Sequence, residues 1–454
     1  MKAGREGRSF YPNVVLCGMS GAVPRLHEGR LKGVSLRVQC ARRALFCRAV
    51  FPSTFLSGDM KFGVSSLVVA AFVGPGTVLT CASAGLHFGY ALGWVLLFSV
   101  AAVFALQSLT AGLGILAGKG LGEAIREAAT TPLRRAVLFT LVIVGLWVGC
   151  AAFETGNLVG AAAGIRTVLG AEADARWLVG LIALAAGVLL FLDLRALTQA
   201  LAVLVGLMSV LFLATMFMAP VDWRAALGGL FVPRLPEGSL VTVLALMGTT
   251  IVTYNLFLHA SATKAYWAGV EPKRAWRRER LGMAVFFPLG GLISFAILVA
   301  GATLRGSATD VTAVDAFAAL LEPAAGPAAR YFFGLGLFAA GITSAVTAPL
   351  AAAAGIRELF GWNADHLGYR MVWASVLVVG LFFGMTGQSP LKIIIAAQAA
   401  NGLLLPFIAA FVLYLTHRRR AAGLSRGYLV AGTLVTLVCA VLGARTLAWV
   451  WAHL

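Results

Sequence analysis

The chain has 454 residues, 60% of them hydrophobic and 12% charged, with a mean hydropathy of +0.90; soluble domains are nearer half apolar and a quarter charged. That composition excludes an ordinary soluble enzyme or binding module and places the chain in a membrane. The formal net charge of +18, from 36 basic and 18 acidic residues, does not point to nucleic acid, because the basic residues sit in short segments between apolar runs, where membrane topology requires them.

Residues 1–59 differ from the rest. They hold ten basic residues against three acidic ones and no apolar run that could span a bilayer or form a signal peptide. They are expected to form a basic leader, disordered or loosely attached to the membrane surface, or to be an upstream extension of a chain whose start is Met60. The six cysteines, at 17, 40, 47, 81, 150 and 439, form no C-x-x-C pair. They read as small buried residues and not as a disulfide framework or zinc site.

From Met60 onward the transmembrane domain begins, and eleven apolar runs follow. They lie near 62–84, 88–115, 135–165, 176–192, 196–218, 239–264, 281–304, 330–356, 370–386, 389–416 and 427–451. Each approaches the ~20 residues that cross a bilayer as a helix, so the fold class is an all-α polytopic membrane protein. Lys119, Arg126, Arg134 and Arg135 lie between spans 2 and 3. Lys273, Arg274, Arg277, Arg278 and Arg280 lie between spans 6 and 7, and Arg418, Arg419, Arg420 and Arg426 between spans 10 and 11. The positive-inside rule puts all three loops, and the start of span 1, in the cytoplasm. Trp94, Trp223 and Trp267, near span ends, read as interfacial belt residues.

Two spans carry residues that break helices. Span 1 contains Gly74-Pro75-Gly76-Thr77, where proline removes a backbone donor and glycine relaxes the helix. Span 6 contains Thr249-Thr250-Ile251-Val252-Thr253-Tyr254-Asn255, polar and β-branched but without proline. Breaks five spans apart are the mark of an inverted repeat of 5+5 helices (62–218 and 239–416), with 427–451 as an extra helix. Such folds place the substrate between the two breaks. The plainer reading of Gly-Pro-Gly is a packing kink.

Several stretches resemble the Nramp family of metal transporters in order and spacing. Gly74-Pro75-Gly76-Thr77 is similar to its Asp-Pro-Gly-Asn motif, and Ala84-Gly85-Leu86-His87-Phe88-Gly89-Tyr90 to the stretch that follows. Gly118-Lys119-Gly120-Leu121-Gly122-Glu123 resembles its Gly-Lys-x-Leu-x-Glu, and Val232-Pro233-Arg234-Leu235-Pro236 the approach to span 6. Asn255-Leu256-Phe257-Leu258-His259 resembles the end of its span-6 motif. Gln398 with Leu405-Pro406-Phe407 resembles its span-10 segment. The resemblance covers about 62–416 and implies the leucine-transporter fold. The departures fall on the chemistry. The family's metal-binding aspartate and asparagine align with Gly74 and Thr77, its methionine with Val252, its Pro-His with Thr253-Tyr254, and its Asp-x-x-Glu pair with Glu154 and Asn157.

The substrate-site candidates are therefore Gly74, Thr77, Thr80, Val252, Thr253, Tyr254, Asn255 and Gln398, with Thr249 and Asn401 nearby. They offer neutral oxygens and amides, which suit a hydrated magnesium ion better than manganese or iron. The plainer reading is hydrogen bonding between helices. Glu154 is the one carboxylate placed deep in a span, where a charge is costly enough to suggest a proton carrier or ion partner. Asn157 beside it and His259 as a relay complete the expected proton pathway.

The sequence thus implies a secondary transporter of a metal ion, with proton symport one form it can take, in a bacterial-type inner or plasma membrane. The alternatives are a transporter of an amino-acid-like solute, whose carboxylate would meet the free helix end after Gly76, and a non-transporting receptor or scaffold. No catalytic constellation or cofactor motif is present. The expected partners are the lipid bilayer and a small substrate or metal ion. Nothing in the sequence indicates an oligomeric state.

Overall fold

The computed structural model describes residues 64–169, 174–305, 326, 328–363, 365–386, 390–418 and 426–452. The expectations for the leader 1–59 lie outside the described residues. Ser65–Phe72 (α1) is apolar on nearly every face and buried along its length. Gly74 is extended (φ −104°, ψ −179°), as a residue before proline prefers. Pro75 then takes the first position of Pro75–Phe88 (α2), where its missing N–H costs no helical bond. The two helices meet at 56°, so span 1 is a broken span, as Gly-Pro-Gly predicts.

The first half continues through Gly93–Leu116 (α3), the short Leu121–Ala128 (α4), Pro132–Leu169 (α5), Ala175–Leu189 (α6), Leu194–Met218 (α7) and the short Trp223–Phe231 (α8). The second half comprises Leu240–Thr250 (α9), Thr253–Tyr266 (α10), Pro272–Ala302 (α11), Ala328–Phe360 (α12), Leu367–Met385 (α13) and Pro390–Arg418 (α14), followed by Arg426–Ala452 (α15). Among the described residues eight helices are long and apolar enough to cross a bilayer, or nine with the bent α1–α2 pair. Shorter apolar segments, Arg176–Leu189 and Leu405–His417, lie in the fourth and tenth predicted spans.

Span 6 breaks between α9 and α10, at Ile251 (φ −94°, ψ 69°) and Val252 (φ −77°, ψ 124°). Span 7 differs from its predicted start near 281. Glu271 accepts hydrogen bonds from the backbone N–H groups of Lys273 and Arg274, and Pro272 occupies the first turn. This cap starts the helix early, so the basic run 273–280 lies on α11 and not in a loop.

Small residues let the helices approach closely. A methyl group at Gly85 of α2 would strike the Leu298 carbonyl of α11, and one at Gly301 of α11 would strike the Ala82 carbonyl of α2. Elsewhere α12 packs along α5, α7 and α13, and α9 lies against α14.

Candidate functional site

The two breaks face each other. Their side chains form a chain of hydrogen bonds whose direction follows from the donors available. Thr80 donates to Gln398 Oε1 (2.5 Å), and the Gln398 amide donates to Thr249 Oγ1 (3.1 Å). The Thr77 hydroxyl donates to the Phe72 carbonyl, so the Thr77–Thr249 contact at 2.7 Å uses the Thr249 proton. Thr77, Thr80, Thr249 and Gln398 are all buried.

Asn401, one turn after Gln398, straddles the span-6 break. Its amide donates to the carbonyls of Gly248 (2.7 Å) and Ile251 (3.2 Å). Its oxygen accepts from the Thr253 hydroxyl (2.7 Å) and backbone N–H (3.3 Å). A broken helix leaves such groups unpaired, and Asn401 supplies partners on both sides. Span 10 therefore holds span 6 open, which explains a break without proline. The Tyr254 hydroxyl donates to the Ala71 carbonyl (3.4 Å), and the Ser344 hydroxyl of α12 to the Ala70 carbonyl (3.1 Å). Several carbonyls exposed by the breaks are thus engaged by the chain's own side chains.

Gly74 is extended, so its backbone does not require glycine; its surroundings do. A Cβ there would lie 2.5 Å from Ser344 Oγ, 3.1 Å from Ser344 Cβ and 3.5 Å from Asn157 Oδ1. The sequence does not mark Ser344, because one serine in a helix rich in small residues carries no pattern. Val252, the N-cap of α10, is buried and presents no donor. Asn255 is buried with neither amide atom bonded among the described residues.

Glu154 is fully buried on α5. One oxygen accepts from the Asn157 amide (3.3 Å), and the other has no partner among the described residues. The structure joins Glu154 to Asn157 as expected, and through Asn157 to the surroundings of Gly74. It does not join Glu154 to His259. His259 Nδ1 contacts Gln107 Oε1 (3.0 Å) and Nε2 contacts Glu279 Oε1 (3.1 Å). Glu154 is not the one buried carboxylate, since Glu279, near the start of α11, and Glu358, near the end of α12, are also buried.

Glu279 is heavily bonded. It accepts from Ser65 Oγ (2.7 Å), Val64 N–H (3.2 Å) and Trp267 Nε1 (2.7 Å), besides its contact with His259. This carboxylate ties the start of α1 to α10 and α11. Trp267, expected in an interfacial belt, is instead buried and bonded here, whereas Trp223 is exposed. On the same side of the molecule, Glu358 accepts from Gly122 N–H (3.1 Å), and Lys264 donates to Glu123 (2.6 Å). Burial pushes the Glu123 carboxyl up, but Lys264 and the Gly120 N–H outweigh it and hold it below the usual carboxylate range.

Two opposed broken helices within a repeat, a polar junction between them and a tied first helix define a membrane transporter of the leucine-transporter fold. The chain belongs to the Nramp family: residues 65–449 match the model described as natural resistance-associated macrophage protein-like. It is 29% identical over 90% of its length to a divalent metal cation transporter MntH of Verminephrobacter eiseniae, covering 94% of that protein. It is 28% identical over 91% of its length to the MntH of Deinococcus radiodurans, covering 93% of that one. The fold also matches the crystal structure of the Eremococcus coleocola manganese transporter, with a TM-score of 0.68, 19% identity and 85% of each chain covered. MhsT in complex with L-phenylalanine matches with a TM-score of 0.59 and 13% identity over 86% of this chain and 98% of that one.

Proposed function

We propose that this chain is a secondary transporter that carries a metal ion through the junction of α1–α2 with α9–α10, and that the ion keeps much of its water there. The observation that carries the reading is the Thr77–Thr249 bridge between two broken helices, whose hydrogen-bond partners among the described residues are all neutral. Relatives across the family are named as divalent metal cation transporters. Hydroxyls, amides and carbonyls suit a hard cation that dehydrates reluctantly, such as magnesium. They offer neither the charge nor the sulfur that would favour manganese, iron or cadmium. Uptake into proteoliposomes, with magnesium, manganese and a panel of amino acids compared, tests this. Magnesium entry above manganese entry is expected. Accumulation of an amino acid with no metal movement would overturn the reading in favour of an organic solute.

Glu154, with one oxygen that has no partner among the described residues, is the group we assign to proton movement, with Asn157 orienting it. Glu154→Gln is expected to abolish uptake driven by a pH gradient. It should leave the melting temperature within roughly 2 °C, because it replaces a buried carboxylate with a neutral group of the same shape. Unchanged pH coupling would reduce Glu154 to a packing residue.

The orientation we propose, with the start of span 1 in the cytoplasm of a bacterial-type inner or plasma membrane, is supported by the basic residues of the α3–α5 connection, the start of α11 and the α14–α15 connection. Ala275 is fully buried and unsuited to labelling, whereas Lys273 and Gly228 are exposed. A cysteine at Gly228 should react with an impermeant reagent added outside, and one at Lys273 should not. The reverse pattern would invert the orientation.

A further inference from the structure

The start of α11 carries a feature that the midplane site does not use. A cavity of about 720 Å³ opens there, lined by Arg274, Arg277, Arg278 and Arg280 and, further along, by Leu281 and Phe104 of α3. Arginine stays charged at any physiological pH, and among the described residues none of these four is in an ion pair. The nearest acids on α11 are occupied elsewhere. Glu271 caps the helix, and Glu279 points inward onto Val64, Ser65, His259 and Trp267. The sequences of α3 and α15 contain no aspartate or glutamate at all. Arg280 spends part of its charge on the face of Tyr428, 5.9 Å from the ring centroid.

The cavity is therefore strongly cationic at one end and apolar at the other. Its polarity follows the helix from its capped start into the bilayer. Arg277 and Leu281 are four residues apart and share a helix face, and Leu281 is 60% exposed. An exposed leucine directly below uncompensated guanidinium groups matches the passage from a lipid phosphate to its acyl chain.

We propose that this cavity binds an anionic phospholipid, with its phosphate held by Arg274, Arg277, Arg278 and Arg280 and its acyl chain lying along Leu281 and Phe104. Because α11 is tied through Glu279 to the start of α1, an occupied site would steady the helix that anchors that contact.

The test uses the purified full chain in a neutral detergent, with cardiolipin, phosphatidylglycerol, phosphatidylcholine or inorganic phosphate added at equal phosphate concentration. The anionic lipids are expected to raise the melting temperature by roughly 3–6 °C, with no comparable rise from phosphatidylcholine or inorganic phosphate. Arg277→Gln with Arg278→Gln should remove most of that rise. Removing basic residues can disturb insertion, so Leu281→Ala, which keeps the charge, is the second variant and should reduce the rise for lipids. An equal response to phosphatidylcholine, full protection by phosphate alone, or an unchanged rise in both variants would each overturn the proposal.

Discussion

Gly74→Asp combined with Ser344→Gly is expected to raise manganese affinity about tenfold or more over the wild type, a gain of about 1.4 kcal/mol. Gly74→Asp alone is expected to give little. The extended backbone of Gly74 accepts an aspartate, and at the N-cap of α2 an aspartate would also bond the free N–H groups of the first turn. The obstacle is Ser344, whose hydroxyl lies 2.5 Å from the position of a Cβ at 74. Removing that side chain opens the space and frees the Ala70 carbonyl that it occupies. Val252→Met, the second change the sequence suggests, would add a soft donor at the N-cap of α10. Calorimetry on the wild type, both single variants and the double variant reads the coupling. Tight manganese binding by Gly74→Asp alone would show that Ser344 is no obstacle. A folded double variant with wild-type affinity would show that the junction does not receive the metal.

Glu279→Ala is expected to cost about 3–5 kcal/mol of stability, the range for breaking a buried pair by removing one partner. Three donors would lose their acceptor, Val64 N–H, Ser65 Oγ and Trp267 Nε1, and His259 Nε2 would lose its contact. His259 is confined further by Gln107, whose Oε1 can only accept; Nδ1 must therefore donate, which leaves Nε2 to face residue 279. Glu279→Gln keeps the shape but turns part of the group into a donor, so it should fall between wild type and alanine. Melting temperatures and amide exchange at the start of α1 are the measurements. Unchanged exchange at Val64 in Glu279→Ala would show that α1 is held by packing alone.

The span-1 break was legible because its cause is local: Gly74 and Pro75 specify it wherever they sit. The span-6 break was legible only as a polar region, because Ile251 and Val252 would continue a helix without the bonds that Asn401 brings from span 10. Glu154 stood out as an acid alone in an apolar run. Glu279 did not, since it sits among arginines that read as a loop, and only the helix started by Glu271 and Pro272 turns it inward. The assignment of His259 to Glu154 failed for a related reason. The pattern puts both residues on helices, but which neighbour a helix face meets is set by packing, and that face of α10 meets α3 and α11.

The reciprocal glycines at 85 and 301 have a mechanical consequence. With the backbones of α2 and α11 in direct contact, neither helix can slide past the other without a collision, so the two behave as one plate. Any swing in span 1 is then concentrated at Val73–Gly74, with α1 as the lever and the Glu279 contacts as its catch. Spin labels on α2 and α11 should keep one separation in every access state, while labels on α1 and α11 should report two.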